Sequence, residues 1–264
     1  MIAQILRYLP VRIANIVLAR IILKTKLKNL TNSYISVPLR YSKKVRLDLN
    51  PKDIGHQYLA FTGVYEYDLT KRILNISTKN NGLMVDVGAN YGYYSVLWSN
   101  EHANNSAIAF EASPRNVEAI TNNININDLK NKIKLEALAV SDHKGIVTFD
   151  LGPDDQTGWG GISKDVNNKN LVNVNSISLD IYFENSLFQD IEVLKIDTEG
   201  ADYLVLKGAE NLLKNKIIRH IFWEENTFRS NLLDLTPYQS IAYLEKLNYS
   251  VKKIGKNEYY ATIK

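Results

Sequence analysis

Short apolar runs alternate with stretches of helical period through most of the chain. GLMVDVG (82–88), SAIAFEA (106–112), KIKLEALAVS (132–141), QDIEVLKIDTEG (189–200) and IIRHIFWEEN (217–226) read as buried strands, with GIVTFDL (145–151) as a further one. Between them, NYGYYSVLWSNEH puts Tyr94, Leu97 and Trp98 on one side of a helix. ADYLVLKGAENLLKN does the same with Tyr203, Leu206, Ala209, Leu212 and Leu213. PRNVEAITNNININ opens on Pro114, whose fixed φ suits a first helical turn, and TPYQSIAYLEKLNY predicts a helix capped by Thr236 with Pro237 at its first position. SVKKIG and EYYATIK read as a closing hairpin.

Buried strands alternating with amphipathic helices predict an α/β fold with a doubly wound, mostly parallel sheet. Ligands of such sheets bind beyond the carboxyl ends of the strands, so polar residues at those ends are the site candidates. The glycine-rich segment GPDDQTGWGG (152–161) reads as a mobile loop over that site.

The first 47 residues follow another pattern. Ile2, Ile5, Leu6, Leu9, Ile13, Ile16 and Val17 form a helix-like apolar stripe, which Pro10 interrupts. Ten Lys and Arg residues and no acid occur before Asp48, and these cations exceed the net charge of the whole chain, +4. An N-terminal arm (1–47) that is basic and amphipathic therefore precedes an acidic domain (48–264). Charge-free runs in the stripe, such as 13–19, fall far short of the roughly 20 residues that cross a bilayer. Such an arm suits an anionic membrane surface, and the expected location is cytoplasmic, peripheral on the inner face of the membrane. No nucleic-acid-binding motif accompanies its cations.

The 264 residues suffice for one large α/β domain, and the absence of cysteine excludes disulfides, thiolate metal sites and cysteine nucleophiles. The chemistry begins at VDVGANYGYYS (85–95). A dinucleotide fingerprint needs G-x-G-x-x-G to bring a helix N-terminus against a pyrophosphate. Here Gly88, Ala89, Asn90, Tyr91 and Gly92 follow a carboxylate, Asp86, which repels a diphosphate but suits an ammonium or sulfonium group. Glu111, with Ala112 after it, ends the second strand, where a carboxylate accepts the two hydroxyls of a ribose. Ser141 and Asp142 end the third strand, within reach of an adenine amino group. Together they describe a nucleoside joined to an amino acid without phosphate, which is S-adenosylmethionine.

These residues resemble the FkbM-type S-adenosylmethionine-dependent methyltransferases. VDVGANYGYYS, AFEASPRNVEAI, ALAVSDHKGIVTF, LDIYFEN and KIDTEGADYLVLKGAE carry the resemblance over roughly 82–226, and K-I-D-x-E-G is its most specific piece. It implies a class I methyltransferase fold, Rossmann-like, whose seven-stranded sheet ends in an antiparallel strand. It also implies methyl transfer to an oxygen of a sugar, glycolipid or polyketide-like acceptor. By carry-over, Asp86, Gly88, Asn90 and Gly92 line the methionine part of the donor, Glu111 holds the ribose, and Asp142 lies near the adenine. Asp202 stands where the family often has glutamate.

An acceptor hydroxyl must lose its proton during attack, so a base is needed nearby. Asp197, at the end of the fourth strand and beside the donor, is the first candidate; Glu199 is the second, and His143 an alternative. Asp197, Glu199 and Glu224 also offer oxygen ligands that suit a divalent cation such as magnesium, although no metal site is assigned. Lys195 is placed to neutralise one of these acids, while Trp159, Tyr91 and Tyr93 are candidates for an acceptor wall. The missing third glycine disfavours a nicotinamide oxidoreductase. Asp-Thr-Glu-Gly replaces the Asn/Asp-Pro-Pro-aromatic motif of nucleic-acid methyltransferases, so no nucleic-acid partner is expected. The alternative from another class is a catalytically inactive scaffold of the same fold, binding at a membrane surface.

Overall fold

Segments too apolar to face water on either side belong in the middle of a sheet covered on both faces. The computed structural model, which describes residues 35–42, 44–165, 169–184 and 190–264, has them there. The chain runs β1 (Ile35–Pro38), β2 (Arg46–Leu49), α1 (Ile54–Thr62) and α2 (Tyr67–Ser77) before β3 (Leu83–Val87) and α3 (Tyr93–Glu101). Next come β4 (Ser106–Phe110), α4 (Pro114–Ile126), β5 (Ile133–Glu136), β6 (Ala139–Val140), β7 (Gly145–Asp150), β8 (Gly161–Ile162) and β9 (Leu171–Ile177). After α5 (Leu179–Phe183) and β10 (Ile191–Ile196) stand two short helices, α6 (Asp202–Lys207) and α7 (Glu210–Lys214). β11 (Ile218–Glu224), α8 (Thr227–Leu232), α9 (Gln239–Lys246), β12 (Tyr249–Lys253) and β13 (Glu258–Ile263) complete it.

The main sheet has seven strands in the order β12-β13-β11-β10-β3-β4-β5. From β11 to β5 neighbours are parallel, and β13 is antiparallel to both β11 and β12. This is the class I arrangement that the resemblance implied. Alternation along β3 sends Met84 to the core beneath α1–α4, while Leu83, Val85 and Val87 enter the core on the other face. Asp86 shares the face of Met84. Its register partner on β10 is Lys195, so sheet pairing alone brings these opposite charges together.

Several local expectations change. The segment 132–141 breaks after Glu136, and β6 leaves the main sheet to join a four-stranded one with β9, β7 and β8. ADYLVLKGAENLLKN is two helices, because the Gly208 backbone lies against residue 141, where a Cβ would meet Ser141 O at 2.1 Å. Its carbonyl is also drawn off to accept from the amide of Asp180. Thr236 and Pro237 belong to a turn, since Tyr238 takes a left-handed conformation (φ 63°) and the helix starts at Gln239.

The boundary expected at residue 47 falls inside a hairpin. Val37, Leu39, Val45, Leu47 and Leu49 of this hairpin and its turn are buried in the core. The outer edge of β2 is tied to α4 by asparagines four residues apart, which share one helix face. Asn123 accepts from Asp48 N (2.7 Å) and donates to Tyr91 O (2.9 Å), while Asn127 donates to Arg46 O (2.6 Å). The apolar stripe over residues 2–17 lies outside the described residues. Among the described residues, no helix is long and apolar enough to cross a membrane.

Asn123 thus links the hairpin to the glycine turn through a fully buried side chain. Asn123→Ala leaves the Asp48 amide and Tyr91 carbonyl unpaired and should lower stability by about 2 kcal/mol, read from urea denaturation.

Candidate active site

A cavity of about 620 Å³ opens at the carboxyl ends of β3, β4 and β10, within the range of roughly 300–1,000 Å³ typical of small-molecule sites. Its floor is the glycine turn. Gly88 (φ 76°) passes so close to β10 that a Cβ would lie 1.9 Å from Asp197 O, which only glycine permits. Gly92 (φ 84°) packs on Ile120, where a Cβ would come within 2.7 Å of its Cγ1. Between them Asn90 is also left-handed (φ 53°), and its amide donates to Glu111 Oε2 at 2.6 Å.

Glu111 is buried at the tip of β4, and Ser113 N donates to its other oxygen at 2.8 Å. Two backbone amides, joined by the Asn116 side chain, therefore fix the carboxylate against the cavity. Burial pushes its pKa up to about 7. Phe110, Ala112, Leu138, Val140 and Phe149 give the wall beside it an apolar surface.

On the other side stand the acids of β10 and β11. Asp197, Glu199 and Glu224 all line the cavity with Lys195. Lys195 Nζ lies 3.2 Å from Asp197 Oδ2 and 3.7 Å from Asp86 Oδ1, and sits over the Tyr94 ring. Burial opposes its charge, but Asp197 and Asp86 outweigh that and hold it protonated. Asn226 Nδ2 donates to Glu199 Oε2 at 2.8 Å, while burial, then Asp197, pushes Glu199 up to about 7. Burial and the Asp197 charge also raise Glu224.

Asp86 itself is off the cavity wall. It is fully buried and accepts from Ser95 N (3.1 Å) and Ser95 Oγ (2.6 Å), an anion at the amino end of α3. From there it contacts the start of α3 and Lys195. Gly92 likewise supports the turn from below. Ser141, Asp142 and His143 lie outside the lining, because β6 turns away at Val140 and carries them off. Lys207 (2.7 Å) and His143 (2.8 Å) instead hold Asp142; they outweigh its burial and draw it down to about 2. Asp202, buried, accepts from Thr198 Oγ1 at 3.1 Å and orders the loop that bears Asp197 and Glu199. Among the described residues, no group of three or more His, Cys, Asp or Glu is disposed to hold a metal ion.

The glycine-rich segment forms a strap pinned from both sides. Asp53 caps α1 and accepts from Thr157 N (2.7 Å) and Thr157 Oγ1 (2.9 Å), and Ile54 N donates to Asp155 O. Opposite, Arg229 donates to Trp159 O (2.6 Å) and pairs with Asp150 (3.3 Å). Asp53, Tyr65, Asn116, Phe228 and Arg229 all line the cavity without a motif to mark them. For Asp53 alone a signal existed, an N-cap residue ahead of IGHQYLAF.

The family model described as "Methyltransferase FkbM domain" matches residues 86–251. The chain is 23% identical over 206 residues to Methyltransferase sdnD of Sordaria araneosa, covering 64% of this chain and 77% of that one. A crystal structure of a methyltransferase FkbM from Methylobacillus flagellatus superposes at TM-score 0.48 and 14% identity over 69% of this chain. That match spans 43% of the other protein, so the chain corresponds to less than half its length. An O-methyltransferase from Bacillus cereus in complex with SAH superposes at 0.45 with 13% identity, covering 76% and 82% of the two chains.

Burial keeps Glu111, Glu199 and a neighbour, Glu66, protonated at pH values where they ionise in the unfolded chain. Glu66 is pushed up to about 8, by burial first and then Asp197. Between about pH 4.5 and these values the native state binds more protons, so stability falls as pH rises. The three contributions are full below about 4.5, lost by about 7 for Glu111 and Glu199 and by about 8 for Glu66. Thermal melts of the ligand-free protein should drop from about pH 5 to about pH 9, and Glu111→Gln should flatten that slope.

Proposed function

Because the chain belongs to the methyltransferase FkbM domain family, we propose that it moves a methyl group from S-adenosylmethionine to a hydroxyl oxygen of a sugar, glycolipid or polyketide-like acceptor by in-line displacement. The observation that carries this reading is the fixed Glu111 carboxylate beside the glycine turn. A carboxylate held at the cavity edge suits the adjacent hydroxyls of a ribose, and the apolar strip of Leu138, Val140 and Phe149 suits a purine face. Across the cavity, anionic Asp197 and Glu224 suit the cationic half of the same molecule.

When bound, the donor supplies a methyl group on a sulfonium sulfur, a leaving group that needs no acid. The chain's task is to align the acceptor and accept its proton. Asn226 engages one oxygen of Glu199, leaving the other for the hydroxyl proton, and a pKa of about 7 makes Glu199 an effective base near neutrality. Asp197, tied to Lys195, stays beside it as a fixed negative charge. The C–O bond forms as the C–S bond breaks; the proton ends on Glu199 and a neutral thioether is left. The strap excludes water. Exposed Trp159 and Phe228 border the mouth, where an acceptor ring meets a flat apolar surface.

Titration calorimetry should detect binding of both S-adenosylmethionine and S-adenosylhomocysteine, with Glu111→Ala weakening each by at least about tenfold. In tritium-methyl transfer to glycan and lipid extracts, Glu199→Gln should lose about 10²- to 10⁴-fold in rate while keeping its affinity for S-adenosylhomocysteine. Wild-type rate should rise with pH through about 7, as Glu199 ionises. Wild-type protein that binds neither ligand overturns the proposal.

A further inference from the structure

A second cleft, of about 10 Å³, shares Lys195, Asp197 and Glu224 with the main cavity. That is about the space of one water molecule. Glu66, just before α2, and Glu258, on β13, also line it. Glu66 precedes the region matched by the family model and carries no motif. Its backbone is left-handed (φ 39°), a conformation that non-glycine residues keep only under constraint. Tyr94 Oη, on α3, donates to its Oε2 at 2.7 Å.

The charges around Glu66 are unbalanced. Asp197 and Lys195 face it from β10, Glu224 from β11, and the phenols of Tyr65 and Tyr94 lie beside it. Glu258, another lining residue of the cleft, faces Asp68 and Arg72 of α2. Behind Lys195, Asp86 is fully buried, and its Oδ1 has no hydrogen-bond partner. Glu66, Asp86, Asp197 and Glu224 thus share the one ammonium of Lys195, leaving the wall receptive to another positive charge. Burial and Asp197 hold Glu66 largely protonated near neutral pH.

We propose that Glu66 is the charge-compensating partner of the methyl donor, releasing its proton through the cleft when the cation enters and regaining one when the neutral product is left. The inference rests on the donor assignment of the preceding subsection. Binding exchanges one proton for one sulfonium charge. After transfer the sulfur is neutral, and the acceptor's proton on Glu199 replaces the lost charge. As the product departs, Glu66 recovers its own proton from solvent and Glu199 gives the acceptor's proton up to solvent, so each turnover frees one proton. Glu66 touches neither ligand and acts through Asp197 and Lys195, so it is a positioning residue.

Calorimetry of the full chain in phosphate and in Tris, at about pH 7.5, reads proton release from the difference in buffer ionisation heat. S-adenosylmethionine should release more protons than S-adenosylhomocysteine. Its affinity relative to the product should rise about tenfold between about pH 6.5 and about pH 9, one unit of linked shift. Glu66→Gln should abolish most of both differences, and Glu66→Asp should retain part of them. Equal proton release by the two ligands in wild-type protein, or an unchanged difference in Glu66→Gln, overturns the proposal. Should Glu66→Gln not fold, Glu66→Asp carries the comparison, and a difference in proton release equal to that of wild type overturns the proposal. Failure of both ligands to bind is a separate result that refutes the donor assignment and this proposal with it.

Discussion

The site depends on one buried ammonium. Lys195 lies in the middle of a parallel sheet, where an unpaired charge would be costly, and it is tolerable because register sets Asp86 on the adjacent strand and Asp197 two residues along its own. Each acid needs the lysine as much as the lysine needs them. Without it, Asp86 would be a lone carboxylate in the core, and the acids at the strand tips would repel one another. The pairing also has directional consequences. Asp86 spends its other oxygen on the amino end of α3, so the geometry of the glycine turn and that of the acid wall derive from one central contact.

Much of this was readable from the chain. The apolar runs located β3, β4, β10 and β11 to within a few residues, since strands buried on both faces have little freedom in composition. The glycine turn and Glu111 were recognisable because conformational need and chemistry coincide there: two glycines in the left-handed region and a carboxylate on the next strand. Asp197 and Glu199 followed from the rule that parallel sheets present their ends to ligands. Lys195 as a neutralising partner was also within reach, because alternation along β10 separates it from Ile196.

The departures from expectation share a cause. Asp86 has the expected residue type beside the glycine turn, but one step along a strand decides whether a side chain faces the cavity or the core. Ser141, Asp142 and His143 were assigned by continuing a strand through Ala137 and Leu138, whereas β6 departs to pair with β9. Gly208 broke an apparently continuous helix because of contacts with residues far away in sequence. Asp53 and Arg229 join the site through turns and hydrogen bonds that no periodicity records. Local pattern located the elements, and long-range packing decided which side chains reached the cavity.

The contact of Gly88 with the Asp197 carbonyl has a mechanical consequence. With no side chain at the crossing, the tips of β3 and β10 touch backbone to backbone, leaving no soft spacer to absorb displacement. A ligand that pushes the glycine turn by a fraction of an ångström must carry Asp197 and the loop after it along. The two halves of the pocket therefore behave as a single rigid jaw, and adaptation to different guest molecules falls to the strap and the aromatic rim.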